Sequence, residues 1–70
     1  MSKSYTVQEA IQILQKHGYN QESGGKHIRM HKEGHTMVTL SFNPHSPLAQ
    51  RQADNIRKSA GARLEELEAL

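Results

Sequence analysis

Gly24-Gly25-Lys26-His27-Ile28-Arg29-Met30-His31 alternates in character. After two glycines, apolar Ile28 and Met30 share one parity and His27, Arg29 and His31 share the other. Side chains in a strand point to opposite faces in turn. The run therefore predicts a strand over about 26–32, with an apolar face on a core and cationic or titratable groups on the other face. Val38, Leu40 and Phe42 repeat the alternation and predict a second strand over about 35–42. Lys32-Glu33-Gly34 lies between the two. Ile28 and Met30 must face the same core as Val38 and Leu40, so a two-residue loop is excluded: it would mix the faces. A loop of Lys32, Glu33 and Gly34 pairs Ile28 with Val38 and leaves Gly34 in the left-handed position. On that register His27 opposes Thr39, Arg29 opposes Met37, and His31 opposes His35.

Before this hairpin, Thr6 precedes Glu9 at capping-box spacing. Val7, Ala10, Ile11 and Leu14 then form one helical stripe, and Gly18 is a natural stop, so a helix is expected over about 7–17. Tyr19 to Gln21 is expected to add a short strand, with Tyr19 inward, and Glu22 to Gly25 to form a loop. After the hairpin, Asn43-Pro44-His45 breaks the sheet. Ser46-Pro47 reads as an N-cap followed by proline in the first turn of a second helix, running to about Ser59. Gly61 either ends that helix or interrupts a longer one at ~1 kcal/mol. Residues 62–70 are an acidic, helix-forming tail carrying Leu64, Leu67 and Leu70. The expected class is α+β, α-β-β-β-α: a three-stranded antiparallel sheet with two helices on one face and a possible helical extension. Residues 1–61 form the domain and 62–70 the tail.

The chain has 70 residues and no cysteine, which allows one modest core and excludes disulfides and thiolate metal sites. A partner or an oligomer is the remaining way to reinforce so small a fold. There is no long apolar run, and Met1-Ser2-Lys3-Ser4 lacks the apolar core of a signal peptide, so a soluble, cytoplasmic protein is expected. The net charge is +2. Residues 1–58 hold eight Lys or Arg against four Asp or Glu, while 59–70 hold one against three. A basic body suits a polyanion, although a solvated charged surface has the same composition.

The order and spacing of these features resemble the HicA-type toxins, small mRNA interferases with a fold like that of double-stranded-RNA-binding domains. The resemblance covers about residues 5–61. It rests on a helix ending in Gly18-Tyr19, the glycine turn Gly24-Gly25-Lys26 leading into His27, and the alternating strand and glycine turn from Ile28 to Gly34. A strand closed by Asn43-Pro44 and a helix ending Ile56-Arg57-Lys58-Ser59-Ala60-Gly61 complete it. The family's catalytic histidine follows a Gly-Ser turn, which implies His27 here, with Gly25 standing where the family has serine. His31, His35 and the acidic tail lie outside the family pattern. The resemblance implies the toxin of a type II toxin–antitoxin pair, an endoribonuclease acting on mRNA and held in check by an antitoxin protein of the HicB type.

The residues suit that chemistry. Metal-independent RNA hydrolysis needs a base for the ribose 2′-OH, an acid for the leaving 5′-oxygen and cations for the phosphate. A histidine can serve as base or acid. Lys26 and Arg29 can hold phosphate, Arg in bidentate fashion. Gly25, Lys26, Arg29 and His31 are thus the RNA-binding candidates around His27, with His31 or another cation open as the acid. No metal or other cofactor is expected. His27, His31 and His35 recur every four residues, but that spacing spans roughly 13 Å along a strand, too far for one ion. The alternative is a non-catalytic RNA- or protein-binding module of the same fold, favoured by Gly25, the small basic excess and the scarcity of aromatics for base stacking.

Overall fold

Thr6 opens the first element as its spacing from Glu9 predicts. The computed structural model describes residues 4–24 and 26–70. In it Thr6 Oγ1 accepts from the Glu9 amide (3.2 Å), and Glu9 Oε1 accepts from the Thr6 amide (2.9 Å). Helix α1, Val7–Lys16, follows, with Val7, Ala10, Ile11, Ile13 and Leu14 buried. Its first two amides find acceptors far along the chain: Val7 donates to the Ser46 carbonyl (2.9 Å) and Gln8 to that of Pro44 (3.0 Å). The start of α1 therefore has no unmet backbone donor, as a helix N-terminus requires.

That capture corrects the expected start of the second helix. Ser46 and Pro47 are not its N-cap and first residue. They lie extended beside residues 5–7, with Thr6 and Pro47 in an antiparallel bridge and the Leu48 amide on the Tyr5 carbonyl (2.8 Å). Proline is tolerated there because the bonds come from its neighbours. Helix α2 is Gln50–Ala60, capped by Ala49. Ala49 has no side-chain acceptor, and the Gln52 side chain instead accepts from the Ala49 amide (3.1 Å).

The sheet is three-stranded and antiparallel, in the order β1 (Asn20–Gly24), β2 (His27–His31), β3 (Val38–Ser41). β1 reaches further than Tyr19–Gln21, through residues expected to be loop, because the β2 ladder supplies what their poor propensity lacks. Tyr19 lies just before the strand and is buried.

Between β2 and β3 the faces match as parity demands, but the register is two residues away from the expected one. Ile28 pairs with Leu40, Met30 with Val38, His27 with Ser41, and Arg29 with Thr39. His27 therefore does not oppose Thr39, Arg29 does not oppose Met37, and His31 does not meet His35. The cause is the connection 32–37. It turns through Gly34 at φ +81° with the His35 amide on the Lys32 carbonyl (3.0 Å), then folds onto α2. His35 Nδ1 donates to the Ser59 carbonyl (2.7 Å). Ser59 Oγ donates to the Thr36 carbonyl and accepts from the buried Tyr19 hydroxyl (2.7 Å). Residues 35–37 are thereby spent on the helix rather than the ladder.

Gly61 ends α2 in the left-handed conformation, φ +77°, its amide on the Arg57 carbonyl (2.8 Å). A separate helix α3, Leu64–Ala69, turns back onto α1. Leu64 and Leu67 are buried in the same core as Val7, Leu14, Met30 and Ile56. His17 Nε2 donates to the Leu67 carbonyl (2.8 Å), and the Tyr5 hydroxyl to Glu68 (3.1 Å). The fold is α+β, with α1 beside β1 and α2 beside β3, and its core contains Val7, Ile11, Leu14, Val38, Leu40 and Ile56, with Ile28 half-buried. No helix among the described residues is long and apolar enough to cross a membrane.

Candidate functional site

Residues paired across antiparallel strands share a face. The registers therefore build the outer face of the sheet from three rows: Gly24, His27 and Ser41; Glu22, Arg29 and Thr39; Asn20 and His31. His27, Arg29 and Thr39 are exposed and Met30, Val38 and Leu40, of the other parity, are buried. Lys26 is exposed in the turn before β2. The structure thus brings His27, Lys26 and Arg29 into one patch at the β1–β2 end. Gly25 lies outside the described residues.

The histidines divide by what their rings touch. The ring of His17 is held by the Leu67 carbonyl, that of His35 by the Ser59 carbonyl. A carbonyl only accepts, so each bonded nitrogen carries its proton. His31 Nε2 lies 3.6 Å from Glu22 Oε2, an ion pair when His31 is protonated, and both side chains are largely in solvent. Such a pair contributes ~0–1 kcal/mol. Among the described residues none hydrogen-bonds the His27 ring, and the residue is exposed. Along β2, Arg29 is about 7 Å from His27 and His31 about 13 Å. Arg29 is close enough to share a phosphate with His27, while His31 falls at the next position along the row.

Two residues of this face, Glu22 and Ser41, are not apparent from the sequence pattern. The composition around Glu22 predicts a loop, yet β1 carries it opposite Arg29, where it offsets part of the positive charge. Ser41 stands opposite His27 and accepts a hydrogen bond from Gln52 Nε2 (3.0 Å), which leaves its own proton to donate. The correct register would have revealed Ser41. No local signal marked Glu22 as a strand residue. No group of three or more potential metal ligands occurs among the described residues.

Comparison with known proteins finds no matching family model, no similar curated protein and no similar solved structure.

Proposed function

We propose that the chain is a metal-independent endoribonuclease, the toxin of a toxin–antitoxin pair, and that it cleaves mRNA on the open sheet face. The observation that carries this reading is the exposed ring of His27, without a hydrogen-bond partner among the described residues and on the strand face it shares with Arg29, next to Lys26; His17, His31 and His35 are engaged, and His45, also exposed, lines the helix-side notch instead. A general base needs a free lone pair and cations nearby for the phosphate. The element order and the resemblance to HicA-type toxins supply the rest of the support. In this reading His27 takes the 2′-OH proton, the 2′-oxygen bonds to phosphorus to close a 2′,3′-cyclic phosphate, and the bond to the 5′-oxygen breaks as that oxygen takes a proton from solvent water, with Lys26 and Arg29 on the phosphate oxygens. An antitoxin of the HicB type would act by covering this face.

Glu22 opposite Arg29 favours the second reading, a non-catalytic module whose mixed-charge face binds a protein or RNA. Purified protein incubated with mRNA separates the two. Cleavage should persist in EDTA and fall in acid, where a histidine is protonated and cannot act as base. His27→Ala should lower the rate ~100–10,000-fold with an unchanged melting temperature, because the exposed ring adds little packing. Intact RNA with wild-type protein points to the binding module; undiminished cleavage by His27→Ala means that another residue does the work.

A further inference from the structure

Phe42 is the most exposed aromatic side chain of the chain, at 70%. It follows Ser41, the partner of His27, and so lies at the same end of the sheet as the proposed site. Its parity is that of Val38 and Leu40, which puts it on the helix side. There the helices stop short of covering the sheet. An open notch of about 610 Å³ remains, floored by Ile11, Ile28 and Phe42 and rimmed by Gln12, Gln15 and Gln21. That volume is enough for one nucleoside. His45 also lines it, and no Asp, Glu, Lys or Arg does among the described residues.

The lining selects its occupant. A flat aromatic ring and two branched aliphatics take a flat apolar face. A rim of neutral amides takes an edge that both donates and accepts. Gln15 Nε2 donates to Gln21 Oε1 (3.4 Å), which ties the two amides together and leaves the Gln15 carbonyl, its second N–H and the Gln21 amino group without a partner among the described residues. Neutral amides that offer both donors and acceptors suit the edge of a nucleobase, and proteins read unstacked bases by stacking plus hydrogen bonds of this kind. We infer that the notch between α1 and the Phe42 end of the sheet, on the helix side and so across the sheet from His27, is a base-binding subsite that takes one nucleobase of the RNA strand. The choice of ligand rests on the ribonuclease reading. A second copy of the chain or an antitoxin side chain would need no such amide pair.

The test is titration of the full-length protein with the four ribonucleoside 3′-monophosphates, followed by NMR. The expected result is saturable shifts at the Phe42 ring and at the side-chain amides of Gln15 and Gln21. Phe42→Ala should weaken that binding about 5–100-fold, as expected for loss of one stacked base, and Phe42→Trp should retain it. Shifts confined to Lys26, His27 and Arg29 overturn the inference and leave the ribonuclease reading standing. Binding in the notch by a protein that cleaves no RNA does the reverse. Phe42 signals that move on dilution without nucleotide show self-association through the notch, and also overturn it.

Discussion

Ser59 sits in the last turn of α2 as a buried polar residue whose hydroxyl both donates and accepts. It has one proton, which goes to the Thr36 carbonyl, so the Tyr19 hydroxyl must be the donor to Ser59 Oγ. Lys32 Nζ covers the Tyr19 ring from 5.8 Å, and the His35 ring meets it edge-on. Replacing Ser59 with Ala strands a buried hydroxyl and a carbonyl at once, and should cost about 1–3 kcal/mol in urea denaturation. Tyr19→Phe removes a donor but leaves Ser59 bonded to Thr36, and should cost less. Equal stability of Ser59→Ala and wild type would mean that water reaches the Tyr19 hydroxyl. At this scale the site was partly legible. Strand parity alone places His27, Arg29 and His31 in one row. Ser41 was hidden because its place opposite His27 depends on the register, and the register depends on Ser59, which lies 18 positions further along the chain.

Among the elements, α1 was the most legible, since its cap, stripe and stop all lie within one short segment. β1 was the least, because Asn20, Gln21 and Glu22 form a strand only where β2 pairs with them. Ser46-Pro47 has the composition of a helix start, but α1 claims the carbonyls on either side of His45 and the helix begins only at Gln50. Helix α3 is too short to persist alone, and its place depends on Leu64, Leu67 and the His17 bond to the Leu67 carbonyl. Leu67→Ala should cost about 2–5 kcal/mol, which for a domain of this size lowers the melting temperature by about 8 °C or more. Removal of residues 62–70 should lower it further, without change in oligomeric mass if the helix serves only its own domain. An unchanged melting temperature in both would mean that the tail frays from the body.

Across the whole molecule, segments distant in sequence complete one another. The Tyr5–Val7 and Ser46–Leu48 backbones are joined by two hydrogen bonds, and Pro44 adds a third through Gln8. Amides in the first turn of a helix ordinarily have no acceptor and trade their hydrogens with water readily. Those of Val7 and Gln8 are released only when residues 44–48 leave. In deuterium oxide they should exchange as slowly as the Leu14 amide at the middle of the core, and comparably rapid loss at Val7 and Gln8 would show that the 44–48 segment detaches by itself. The beginning of the helix would then be a clock for the opening of the entire fold, read from two protons at what is usually a helix's most labile end.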